Sequence, residues 1–294
     1  MKIILASNSK ARKKLLEEME SPSVRLFFMF MRMELVLFFF VFATGIIGCT
    51  EFNPVTQRQE MVLYSTDREV NIGKNISGQV EKEYELVKNP LVNARINEIT
   101  RKVVSVVDRQ DVAYFVNVIQ AKEEEKEEGA DINAFALPGG YVYLYDGLVD
   151  FTDNDDQLAC VIAHEIGHIV AKHSIKKLQA AMGYTLLSIA VIGTGDAEFA
   201  RGVNYALVNV LLAYSREDEI LADKLGVRYA KEAGYDPRAM IDFLEKLREK
   251  KRKEPLRAKS VYRTHPYFSE RITAIKKELG EPLTIGDYVN IVND

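Results

Sequence analysis

Cysteine and histidine are both scarce in this chain, and it has no excess of positive charge. With 2 Cys in 294 residues, a disulfide framework is excluded. With 4 His, each can be judged by its own neighbours. A net charge of −4 gives no electrostatic footing for nucleic acid, so none is expected as a partner. Long apolar runs are missing too. Leu35–Gly48 carries no charge but falls short of the about 20 residues a spanning helix needs. Leu178–Gly195 is also uncharged and reaches only the lower edge of that length, so it reads as a buried or membrane-facing helix. What is present is ordinary globular material. At 47% hydrophobic and 28% charged residues, the length allows one large domain or two modest ones.

The N-terminal region reads differently from the rest. The run from Leu35 follows Arg25 and Arg32 and ends Ile46-Ile47-Gly48-Cys49. It suits the apolar core of a secretory signal. The ending resembles a bacterial lipobox, in which Cys49 would become the lipidated first residue, the alternative being a plain N-terminal anchor helix. The expected organisation is a leader over 1–30, a lipoprotein signal segment over 31–48, a tether over 49–65 and a single domain over 66–294. Residues 1–19 resemble the opening of the Maf-type nucleotide pyrophosphatases, but nothing later continues that pattern. They are read as a non-native or misassigned leader with no function attached.

Within 66–294 the periodicity is mostly helical. Thr66 to about Val87 and Leu91–Val107 each carry an apolar stripe, with Pro90 between them. Ala113–Ile119 reads as a strand. Lys122–Glu128 is a charge run, expected as a solvated loop. Asn133 through Gly140 turns into the alternating strand Tyr141–Tyr145, which suggests a small antiparallel hairpin. A helix is expected over Thr152–Leu178, capped by Thr152 and Asp153. Further helices are expected from Ser215 to about Gly234, from Pro237 into the basic cluster Lys246–Lys253, and over Ser269–Leu279.

The chemistry centres on His164-Glu165-Ile166-Gly167-His168. Histidines four apart on a helix lie about 40° from each other, so both imidazoles can reach one zinc ion. Glu165 lies beside them, placed to take a proton from water. A third ligand must come from elsewhere. The metzincin spacing fails, because positions 171 and 174 are Ala and Ser. His173 lies five residues past His168, and a continuous helix would rotate it off the ligand face, giving a solvent-facing or supporting role. Glu219 supplies the alternative. Asp223, one turn later, can accept the free N–H of a zinc-bound His. Ala222, Gly226 and Ala230 share that face, small enough to press against Gly167.

These segments together resemble the HtpX and CAAX-prenyl-protease family of zinc metallopeptidases, in the soluble lipoprotein branch that includes LoiP and BepA. The matching elements are Asn53 to Arg58, Asn133 to Gly140, His164 to His168, Ser215-Arg216 through Glu219 to Asp223, and Thr264-His265-Pro266. The resemblance implies an α+β, predominantly helical zincin-like domain with a small antiparallel sheet beside the metal-binding helix. It implies one zinc per chain, with misfolded or assembling cell-envelope proteins as substrates. It also permits His265 to bind the reacting oxyanion or to cap the metal in a latent state.

The expected function is therefore a zinc endopeptidase with ligands His164, His168 and Glu219, Asp223 in support, and Glu165 and His265 catalytic. A peptide substrate is expected to add as a strand at Asn133, Tyr141, Val142 and Tyr143. The chain is expected on the periplasmic side of the envelope, membrane-anchored, with the outer membrane favoured. Rival readings are a non-catalytic zinc-containing assembly factor and a zinc hydrolase of a non-peptide bond.

Overall fold

The structure is a computed structural model. It describes residues 50–53, 55–56, 58–127, 131–181, 214–253, 265, 267–285 and 287. The expectations for Cys49, for residues 1–48 and for 182–195 lie outside these. Among the described residues, no helix is long and apolar enough to cross a membrane.

In the stretch expected as a tether, β1 (Thr50–Asn53) and β2 (Arg58–Met61) pair as a two-stranded sheet. The described residues from 63 onward form helices around a second sheet. The helices begin with α1 (Thr66–Glu83) and α2 (Pro90–Val104). Pro90 opens α2 rather than merely ending the helix before it, and the Asn89 side chain caps the Leu91 N–H. Proline fits there because the first helical N–H has no partner to lose.

The sheet order is β3 (Phe115–Ile119), β5 (Tyr141–Tyr145), β4 (Ala134–Ala136). The hairpin β4–β5 is antiparallel, as expected, with Ala134 opposite Leu144 and Ala136 opposite Val142. β3 adds in parallel on the far side of β5, which makes the sheet mixed. β5 takes the centre because its side chains are apolar on both faces. Val142 and Leu144 enter the main core, while Tyr143 and Tyr145 face Ile76 and Val80 of α1. The charge run after β3 is not a loop. It forms the short helix α3 (Glu123–Glu127), whose Glu125 is held by the Lys122 N–H and the Tyr84 hydroxyl. Glutamates in a first helical turn are favoured by the backbone dipole.

After β5 come α4 (Asp146–Phe151) and α5 (Asp155–Val170), then a helical stretch over 173–181. Asn154, not Thr152 or Asp153, caps α5, with Oδ1 accepting the Gln157 N–H at 2.9 Å. Thr152 instead closes α4. The single helix expected over Thr152–Leu178 is broken at Lys172, whose φ of 59° is left-handed. Every residue of α5 from Gln157 to Val170 is buried. Leu158, Ile162, Ile166 and Ile169 each contribute about 1.5–3 kcal/mol of burial.

The remaining helices are α6 (Arg216–Glu232), α7 (Ala239–Lys253) and α8 (Phe268–Glu278). α6 begins with a capping box between Ser215 and Asp218. It lies hard against α5, as the small residues predict. A Cβ on Gly226 would stand 3.0 Å from the His164 backbone, and one on Gly167 would stand 2.9 Å from the Ala222 carbonyl.

Candidate metal centre

The close packing of α5 on α6 brings His164 and His168 over Glu219. His265, just before α8, closes the group. One donor atom from each of these four residues lies within 4.8 Å of the others, and all four side chains are buried. The four histidines of the chain thus converge, since His173 touches the cluster from behind.

The hydrogen-bond partner of His164 assigns its tautomer. His164 Nδ1 lies 2.8 Å from Asp223 Oδ1, and a carboxylate there requires an N–H. His168 Nδ1 lies 2.9 Å from His173 Nδ1. His164 Nε2 then carries a lone pair, and His168 Nε2 does so when the proton shared with His173 sits on His168 Nδ1. The two Nε2 atoms face each other at 3.1 Å, with Glu219 oxygens 3.4 Å from His168 and 3.6 Å from His164. Donor atoms gathered this way in a buried space could hold a metal ion. Ligand bonds of 2.0–2.1 Å in a tetrahedron set donors about 3.3 Å apart. The donor spacing and the two-imidazole, one-carboxylate chemistry both fit zinc.

The electrostatics suit the same arrangement. Burial pushes the Glu219 carboxyl up, but the charges of His265 and Arg271 and the hydrogen bond from His265 outweigh it. The group is held well below the ordinary carboxylate range. Burial drives His168 well down despite Glu219, which keeps the ring neutral and its lone pair available. Glu165 is pushed up, chiefly by burial. Its Oε2 is buried and lacks a hydrogen-bond partner, as a group kept free for proton transfer would.

His265 Nδ1 stands 3.0 Å from Glu219 Oε1, and its Nε2 stands 3.5 Å from Glu165 Oε1. It therefore lies between the carboxylate ligand candidate and the base candidate. Tyr214 stacks on His168 with ring centroids 3.7 Å apart. Arg271 is the residue that sequence reasoning missed. Its Nε and Nη2 donate to Asp223 at 2.7 Å each, and its Nη1 sits 3.0 Å from Glu219 Oε2. The available signal was position, because Arg271 falls on the stripe Phe268, Ile272 and Ile275 that buries α8.

Of the two placements expected for His173, solvent-facing or supporting, burial of the ring leaves the second. The turn at Lys172 resets the chain direction and aims the ring back at His168. Burial pushes this imidazole down to about 4. A substrate strand cannot pair along Tyr141, Val142 and Tyr143, because β5 is bonded on both sides. The edge beside α5 is β4. Asn133 precedes it, buried, with Oδ1 accepting the Ala134 N–H. Beside Glu165 lies a small apolar cleft, bordered by Leu148, Val161, Met240, Phe243 and Leu244.

Residues 90–279 match Peptidase family M48, and the chain belongs to that family. Among its relatives is the Beta-barrel assembly-enhancing protease of Escherichia coli (strain K12), 29% identical over 219 residues, covering 71% of this chain and 43% of the relative. The Mitochondrial metalloendopeptidase OMA1 of Schizosaccharomyces pombe is 26% identical over 236 residues, covering 79% of this chain and 67% of the relative. The OMA1 of Arabidopsis thaliana is 33% identical over 124 residues, covering 40% of this chain and 24% of the relative. The chain thus spans less than half the length of the bacterial protease it matches.

Proposed function

We propose that the chain is a zinc endopeptidase that cleaves misfolded or assembling proteins of the cell envelope. One observation carries this reading: the donor atoms of His164, His168, Glu219 and His265 meet within 4.8 Å, directly beside Glu165. The ligands are His164, His168 and Glu219. When bound, zinc supplies Lewis acidity, making water a nucleophile near neutral pH and polarising a carbonyl.

The protein's own groups do the rest. Asp223 holds the His164 ring through Nδ1. Glu165 takes the proton of the attacking water at Oε2 and passes it to the leaving amine. The substrate backbone lies extended in the cleft that Ala134, at the start of β4, borders beside Glu165. An apolar side chain next to the scissile bond enters the cleft by Val161 and Leu244. His265 has two roles open to it. Moved off Glu219, it donates to the oxyanion. Held where its Nδ1 is 3.0 Å from Glu219, it would offer the metal a fourth donor and leave the enzyme latent. Loss of turnover in His265→Ala supports the first role and gain supports the second.

The envelope substrate rests on the name of the bacterial relative and on the resemblance of Gly48-Cys49 to a lipobox. The anchor is a lipid on Cys49, on the periplasmic side of the outer membrane.

The test uses the full chain purified from membranes. About one zinc per chain is expected, with casein cleavage abolished by chelator and restored by zinc. Glu165→Gln should keep the metal and lose turnover by about 10²–10⁴-fold. Glu219→Ala should lose the metal. Stoichiometric zinc in Glu219→Ala would sink the ligand assignment. Wild-type cleavage by Glu165→Gln would sink the catalytic one and favour an assembly factor that holds zinc only for structure.

A further inference from the structure

His168 needs two constraints to present Nε2 to a metal: a fixed ring plane and a proton confined to Nδ1. The stacked Tyr214 ring supplies the first. Asp223 supplies a proton acceptor for His164, but the hydrogen-bond partner of His168 Nδ1 is another imidazole nitrogen, His173 Nδ1, at 2.9 Å. Two nitrogens at that distance must share one proton. If His168 binds metal through Nε2, the shared proton belongs to His168 and His173 Nδ1 accepts it. His173 must then carry its own proton on Nε2. That atom faces Asp218 Oδ1 at 3.4 Å. The other Asp218 oxygen, Oδ2, accepts the Ser215 N–H of the capping box at 3.1 Å. Asp218 is thereby fixed to the helix that also carries Glu219.

We infer that His173, backed by Asp218, is a positioning residue that orients His168 and fixes its tautomer for zinc. The chain Asp218–His173–His168 does for the second histidine of the motif what Asp223 does for the first. The backbone supports this independently. Lys172 adopts a left-handed conformation, which is strained for a residue with a Cβ. Outliers of this kind persist where the surroundings impose them, often at functional sites. This one ends α5 so that the next residue, His173, turns onto His168 instead of away from it.

The inference rests on the reading of His168 as a zinc ligand, so the test carries a control for that reading. Zinc affinity of the full chain is measured by competition with a chelator. Cobalt is substituted for zinc to record the visible ligand-field bands. His173→Phe keeps a flat ring but offers no acceptor, while His173→Asn restores an acceptor oxygen near the Nδ1 position. Circular dichroism and melting of the metal-free proteins show that each variant is folded. The expected result is about 10–100-fold weaker zinc binding in His173→Phe, with shifted cobalt bands, and recovery of most of both in His173→Asn. Wild-type affinity and bands in folded His173→Phe would overturn the inference. So would an His173→Asn variant as weak as His173→Phe, since only packing would then have been lost. Glu219→Ala that retained zinc would instead overturn the ligand reading itself.

Discussion

At the scale of the residue, the candidate site is a problem of buried charge. Glu219 and Asp223 are both fully buried one helical turn apart, and like charges so placed repel. Arg271 resolves this by bridging them, with its guanidinium forked onto Asp223 and its third nitrogen on Glu219. Taking one partner from a buried ionic network strands the others and costs about 3–5 kcal/mol. Arg271→Met should therefore destabilise the metal-free protein by roughly that amount in chemical denaturation. Saturating zinc should recover part of the loss, because it binds only the folded site. An unchanged midpoint without metal would mean that the network does not carry this energy.

At the scale of the element, the site depends on how closely two helices approach. α5 and α6 meet where glycine and alanine replace larger side chains, with Gly226 against the His164 backbone and Gly167 against Ala222. A valine at 226 has no room unless the helices separate, and overpacking of this kind costs about 1–3 kcal/mol. Separation would also draw Glu219 away from the imidazoles. Gly226→Val is expected to lower the melting temperature and to weaken zinc binding together. A variant that melts lower yet binds zinc as tightly as wild type would uncouple the helix contact from the site. Helices α1 and α5 are linked by a second device. The buried Arg109 guanidinium spans Glu69 of α1 and the Ile169 carbonyl near the end of α5, while Glu69 also accepts the Gly139 N–H before β5. One ion pair thus holds α1, the last turn of α5 and the turn leading into the central strand.

At the scale of the whole molecule, stability should depend on pH in a fixed direction. In Asp223, Asp111 and Asp287 burial raises the carboxyl, but partners outweigh it. Arg271 and His164 act on Asp223, Thr66 and Arg109 on Asp111, and Lys276 and Thr284 on Asp287. The folded-state value lies below the ordinary one in each case. The stability they contribute is complete above about pH 4 and is lost as pH falls through the lowered values. Thermal melting of the metal-free protein should be nearly flat between pH 7 and 5 with respect to these groups, then fall steeply toward pH 3. Melting that improved on acidification below pH 4 would contradict the sign.

The sequence by itself determined the local facts. Spacing of four placed His164 and His168 on one side of a helix. Small residues at 222 and 226 marked the face where Glu219 could meet them. Alternation marked the β5 strand. Each depends on neighbours within one or two turns, and a helical or strand period preserves that relation. Only the tertiary structure decided that His173 turns back, because the period that predicted otherwise ends at a left-handed Lys172. It also decided that Arg271 bridges two carboxylates from another helix. β5 became the centre of its sheet only once β3, from far upstream, paired with its open side. Contacts between distant segments depend on how whole elements pack, and no repeat within a single helix or strand encodes that.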